Sequence, residues 1–218
     1  MFIGHFGLAF AAKRVAPQVS VGTTIFAAEF LDAVWPIFVL TGVERVEIVP
    51  GITRMTPLDF VYYPWSHSLV AALAWAVLFA GTYGLLRRNS RNALWLGALV
   101  VSHWLLDWVV HRPDLPLYPG DPQGHGLGLW NSLPASFTVE FGLFAAGIVI
   151  YLRSTRARDR IGTIAFWALV AVLVVSYLGA TLGPPPPSVQ VVAGSGLIGY
   201  LMVAWGWWID RHREPARS

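Results

Sequence analysis

Residues 93–112 read ALWLGALVVSHWLLDWVVHR. Ala93 to Val101 is almost wholly apolar, and the run then meets His103, Asp107 and His111 at i, i+4 and i+8. On a helix that spacing drifts only ~40° per step, so the three side chains share one stripe. A carboxylate between two imidazoles is costly in a membrane helix unless the groups are partnered. A divalent cation is the simplest partner, because imidazole and carboxylate together bind zinc or a similar ion. The rival reading is a polar helix end at the membrane surface, with His111 and Arg112 in water.

Outward from this stretch the whole chain is apolar. Its 218 residues are 56% hydrophobic and 12% charged, with mean hydropathy +0.57. A soluble domain carries about 25% charged residues, so the composition indicates a polytopic membrane protein. Eleven Trp and seven Tyr suit interfacial aromatic belts. The net charge of +3 comes from loop arginines and reads as topology, with no nucleic-acid partner expected. Cysteine is absent, so any metal must use His, Asp, Glu or backbone oxygen. Charges follow the first apolar run instead of preceding it, which argues against a cleaved signal peptide.

The fold expected is an all-α polytopic integral membrane bundle: six full transmembrane helices plus a short N-terminal helix, in one domain over 1–218. Met1 to Ala12 is too short to cross ~30 Å of hydrocarbon and reads as a helix starting inside the bundle. Full spans are expected at 19–40, 66–86, 93–110, 134–152, 161–182 and 189–209. The first is interrupted by Glu29 and Asp32, and the second opens with His67. Pro- and Gly-rich connections are expected at 41–65 and 111–133, the latter able to fold over a site. The site core falls within 1–152, with two accessory helices over 161–209. Twelve of the fifteen basic residues (Lys13, Arg14, Arg87, Arg88, Arg91, Arg153, Arg156, Arg158, Arg160, Arg211, Arg213 and Arg217) fall on one side of that topology. The positive-inside rule makes that side cytoplasmic, with the C-terminus there and both main loops outside a bacterial-type inner membrane.

On that topology His5, Glu29, Asp32, His67, His103, Asp107, His111 and Glu140 converge on one level, towards the outer half of the bilayer. Charged groups at such depth face the bundle interior and mark a site or a path. His5, Asp32, His67, His103 and Asp107 are the candidate metal ligands. Glu29 and Glu140 are candidate general bases and His111 a further catalytic candidate. Each has a plain structural alternative: a frayed terminus for His5, a helix–helix hydrogen bond for Asp32, an interfacial helix start for His67, a buried supporting carboxylate for Glu140. Ser136 precedes Glu140 by four residues on the same face. His212, beside two arginines, reads as a cytoplasmic tail.

Four short motifs in order are Gly4-His5, Glu29-Phe30-Leu31-Asp32, Ser66-His67-Ser68 and Ser102-His103-Trp104-Leu105-Leu106-Asp107. Their succession over roughly the first 150 residues resembles the YdjM-like membrane-bound metal-dependent hydrolase family. That family is similar in turn to the helical zinc-dependent phospholipase C and single-strand nuclease group, phosphoesterases with three zinc ions. The resemblance implies that Asp32, His67, His103 and Asp107 hold one metal. It also implies that His5 and Asp107 contribute to a second, and that His111 matches a ligand of a third. In the group's third site a His precedes the acid by four residues. Here the acid is Glu140 but the His position holds Ser136, so one or two ions fit this sequence better than three. Zinc suits the donors, and manganese or iron are alternatives.

The function expected is therefore a membrane metal-dependent hydrolase of a lipid-like ester, most simply a phosphoester, attacked by metal-activated water. The alternatives are a proton- or metal-coupled transporter and a non-catalytic structural membrane protein. No nucleotide-binding loop, haem-attachment motif or nucleophile elbow suggests other chemistry.

Overall fold

Polar residues just outside the apolar runs start most of the helices. Ser20, Ser68, Asn89, Ser132, Asp159 and Ser188 each accept a hydrogen bond from an amide in the first turn that follows. Those amides have no intrahelical acceptor, so each cap stabilises its helix start by about 1 kcal/mol. The computed structural model describes residues 1–216. Its helices are α1 (Ile3–Ala11), α2 (Val21–Ala28), α3 (Phe30–Leu40), α4 (Pro64–His67), α5 (Leu69–Arg87), α6 (Ser90–Val110), α7 (Leu133–Ser154), α8 (Arg160–Leu182), α9 (Val189–Leu197) and α10 (Gly199–Arg211). Five are long and apolar enough to cross a bilayer: α5, α6, α7, α8 and the run Val189–Arg211. The pair α2–α3 makes a sixth only if its two halves count as one span, since they are bent by 56°.

That bend refines the expected span at 19–40. The chain leaves helical geometry at Glu29 (φ −96°, ψ 10°) and re-enters it at Phe30. Pro36 lies inside α3 and removes one more backbone donor. The second span opens later than expected, at Leu69, because His67 belongs to the separate turn α4 and Ser68 caps α5. Arg217, counted among the cytoplasmic arginines, lies outside the described residues.

The bundle is not purely helical. β1 (Arg45–Ile48) pairs antiparallel with β2 (Leu58–Tyr62) inside the connection after α3. β3 (Thr155–Ala157), after α7, pairs with β4 (Arg213–Pro215), after α10. Strands this short carry too little period-2 alternation to stand out from a loop. Phe60 of β2 lies against Trp35, Tyr63, His111 and Trp130, so the hairpin covers one end of the helices. The 111–133 connection folds onto the same end, as expected: the Leu69 and Val70 amides at the start of α5 donate to Pro116 and Leu117.

The short helix α1 sits in the middle of the bundle. A Cβ on Gly147 of α7 would lie 2.1 Å from the Gly7 carbonyl oxygen, so the α1 and α7 backbones touch where only glycine fits. Gly22 of α2 and Gly206 of α10 make a second such crossing, at 2.6 Å. Phe10 of α1 packs on Phe144, Tyr151 and Phe166 of α7 and α8. The two terminal spans are thus woven into the core: α10 packs on α2, and the Tyr200 hydroxyl donates to the Ala33 carbonyl at 2.9 Å.

Candidate functional site

The break at Glu29 and the length of α1 bring four separate elements to one place. His5 comes from α1, Asp32 from α3, His67 from the end of α4, and His103 and Asp107 from successive turns of α6. His5 Nε2 lies 3.1 Å from Asp107 Oδ1, and His103 Nε2 lies 3.2 Å from Asp107 Oδ2. His67 Nε2 is 3.3 Å from Asp32 Oδ1 and 3.7 Å from Asp107 Oδ2. His103 Nε2 is 3.8 Å from Asp32 Oδ1. The His5 and His103 rings stack at 3.7 Å, 6° from parallel. Two sets of donor atoms lie within 4.8 Å of one another: His5, Asp32 and His103, and His67, His103 and Asp107. All five predicted ligands are therefore neighbours.

The hydrogen bonds behind these rings decide which nitrogen faces inward. The break leaves the Ala28 carbonyl at the end of α2, and His103 Nδ1 donates to it at 2.7 Å. A carbonyl only accepts, so the proton of the neutral ring is on Nδ1 and Nε2 carries the lone pair. Among the described residues that Nε2 is buried without a hydrogen bond, its nearest polar neighbour being Asp107 Oδ2 at 3.2 Å, and His5 Nδ1 and Glu29 Oε1 are also buried without one. Unsatisfied polar atoms in a dry interior cost about 1–3 kcal/mol each. Others occur on Trp35, Trp104, Tyr151, Ser154 and Tyr177, but among the described residues those on imidazoles or carboxylates all belong to this cluster. Asp32 is the open edge of the cluster, its side chain 42% exposed against 3% for Asp107.

Glu140, Ser136 and His111 make their contacts outside these two donor sets. Glu140 of α7 accepts from the Phe2 and Gly4 amides, each at 3.0 Å, and so caps α1 with a negative charge at its N-terminus. Its oxygens are occupied in holding α1, the helix that carries His5. The Met1 amino group lies against Asp107. Ser136 donates to the Leu129 carbonyl at 2.8 Å and takes no part in the cluster. His111 departs from the expected stripe. It ends α6 with extended backbone (φ −61°, ψ 145°) ahead of Pro113, and its Nδ1 faces Asp114 Oδ1 at 3.0 Å. The Tyr63 hydroxyl donates to the same oxygen at 3.1 Å. Burial raises the Asp114 carboxyl, but hydrogen bonds and charge from His111, Arg112 and Tyr63 outweigh it and hold it below the ordinary carboxylate range. Burial, with Asp114 beside it, pushes the Tyr63 phenol well above its usual value.

Glu44 escaped the sequence reading. It is buried, accepts from the Trp65 and Ser66 amides at 2.8 Å each, and takes the Ser66 hydroxyl at 2.6 Å. Burial pushes its carboxyl up, and those hydrogen bonds partly offset the push. Nothing local marked it, since a glutamate in a polar connection is ordinarily solvated.

The family model described as YdjM inner membrane protein matches residues 57–183, more than half of the chain. No curated protein and no solved structure matches. The chain belongs to the YdjM inner membrane protein family and is an integral inner membrane protein.

Proposed function

We propose that this member of the YdjM inner membrane protein family is a metal-dependent hydrolase of a lipid-like ester, most simply a phosphoester. The observation that carries the reading is the buried Nε2 of His103, which faces the carboxylates of Asp107 at 3.2 Å and Asp32 at 3.8 Å among the other candidate donors. His5, Asp32, His67, His103 and Asp107 offer nitrogen and oxygen donors suited to one or two divalent ions, zinc first and manganese or iron after it. When bound, such an ion supplies Lewis acidity, polarising a phosphoryl or carbonyl oxygen and acidifying water.

The chain's own residues do the rest. Glu29, with its unpartnered Oε1 beside the cluster, is placed to accept a proton from the attacking water. Glu140 serves as the clamp on α1 rather than as the base. His111, held by Asp114 and shielded by Trp130 and Phe60, is a second proton acceptor at the covered end. Substrate approaches past Asp32, where the bend of α2–α3 leaves the cluster open. A site enclosed by apolar spans favours a lipid or lipid-linked substrate drawn from the bilayer.

With α2–α3 counted as one bent span there are six spans, and α1 enters from the arginine-rich face. The positive-inside rule then puts that face and the C-terminus in the cytoplasm, and the 41–65 and 111–133 connections outside. The test is elemental analysis of the purified protein, followed by turnover of lipid phosphoesters. Stoichiometric metal and released product, both lost in Asp107→Ala, support the reading. Full turnover by metal-stripped Asp107→Ala would end it. Ion flux in proteoliposomes without product would turn it into a carrier.

A further inference from the structure

The proton on His67 is fixed by a chain of hydrogen bonds that starts outside the cluster. Ser66 Oγ lies 2.6 Å from Glu44 Oε2 and 2.7 Å from His67 Nδ1. A serine hydroxyl has one proton. The carboxylate can only accept, so the proton of Ser66 goes to Glu44. Ser66 Oγ must then accept from His67, which places the imidazole proton on Nδ1. In the neutral ring His67 Nε2, the atom 3.3 Å from Asp32 and 3.7 Å from Asp107, is then left with its lone pair. Glu44, Ser66 and His67 are at most 3% exposed, so water does not compete for these bonds. The Glu44 carboxylate cannot swing away, because its other oxygen accepts from the amides of Trp65 and Ser66.

We propose that Glu44, acting through the Ser66 hydroxyl, is a positioning residue that holds His67 in the Nδ1-protonated tautomer and aims a bare Nε2 into the cluster. The inference deepens the metal-site reading and concerns the same site. It is nevertheless a statement about the metal-free protein as well. A carboxylate behind a ligating imidazole raises its basicity and fixes its orientation; losing such a partner lowers metal affinity roughly 10- to 100-fold. Glu44 also caps the short turn α4, and that structural duty alone would explain its burial. The two duties separate at Ser66. Ser66→Ala keeps both backbone amides on Glu44 and cuts only the link to His67.

The experiment is nitrogen-15 NMR of His67 in the full chain, purified in detergent without metal, at a pH where the ring is neutral. Cobalt titration of the same samples follows. Wild type is expected to show the proton on Nδ1. Ser66→Ala is expected to move the ring towards the Nε2-protonated form and weaken cobalt binding roughly 10- to 100-fold, and Ser66→Thr to restore both. Glu44→Gln should reproduce the Ser66→Ala spectrum, since its amide can donate to Ser66 and reverse the chain. A wild-type ring protonated on Nε2, or a tautomer unmoved by Ser66→Ala, overturns the proposal. If wild type binds no cobalt while the tautomer responds as expected, the metal reading fails and the positioning role stands.

Discussion

Two ends of this molecule bury charge, and they do it differently. At the end away from the cluster, Lys13 donates to the Val19 carbonyl at 2.6 Å and lies 3.6 Å from Asp210, which also takes the Val21 amide. Arg213 is buried against the rings of Tyr151 and Phe166 and donates to Thr155 and the Gly162 carbonyl. Each of these charges is consumed by the fold. At the cluster, His103 Nε2, His5 Nδ1 and Glu29 Oε1 are equally buried and make no hydrogen bond among the described residues, although His103 Nε2 lies 3.2 Å from Asp107 Oδ2. Burial of polar groups in a membrane bundle is thus not itself the mark of a site. Nor is an unpartnered polar atom by itself, since Trp35, Trp104, Tyr151, Ser154 and Tyr177 each carry one too. The mark is that among the described residues those on imidazoles and a carboxylate fall together at the cluster, where each destabilises the fold unless something uses it.

The largest difference between the two ends is expected at Asp107. Asp107→Asn is expected to abolish both stoichiometric metal and turnover, and to lower the thermal stability of the metal-free protein as well, because the buried Met1 amino group loses its counter-charge. Elemental analysis and a melting curve check it together. Next in size, Lys13→Met at the other end leaves Asp210 uncompensated. Stability should fall by about 3–5 kcal/mol in a reversible unfolding titration, with metal per folded molecule unchanged. Loss of metal in the folded fraction would show that the two ends are coupled.

A smaller effect is expected where α1 crosses α7. Gly147→Ala forces a methyl against the Gly7 carbonyl and should lower stability by about 1–3 kcal/mol. Because α1 carries His5, metal affinity should drop too. Gly206→Ala, at the α2–α10 crossing, should lower stability with a lesser effect on affinity. The smallest expectation concerns acid. The Asp114 carboxyl is held below the ordinary carboxylate range, so its contribution is full above that range and is lost as pH falls through the depressed value. Melting curves of wild type and Asp114→Asn should therefore differ at neutral pH and converge in strong acid.

Much of this was legible beforehand. The apolar runs, the caps beside them and the costly residues inside them are local properties, and they point to Asp32, His67, His103 and Asp107. The roles of Glu140 and His111 were less legible. Glu140 is bound to the start of α1 from 136 and 138 residues away, and His111 sits one residue past the point where α6 stops being a helix. An i+8 spacing assumes that the helix continues, and Pro113 makes it end.

The sequence by itself determined that the chain is a helical membrane protein, where most spans fall, and which side chains are too polar for their surroundings. Only the tertiary structure decided which of their atoms are used and which are left bare. The Ala28 carbonyl meets His103 across 75 residues and Glu44 meets Ser66 across 22. Hydropathy and periodicity are sums over neighbours in the chain, whereas the position of a proton depends on a partner that only folding supplies.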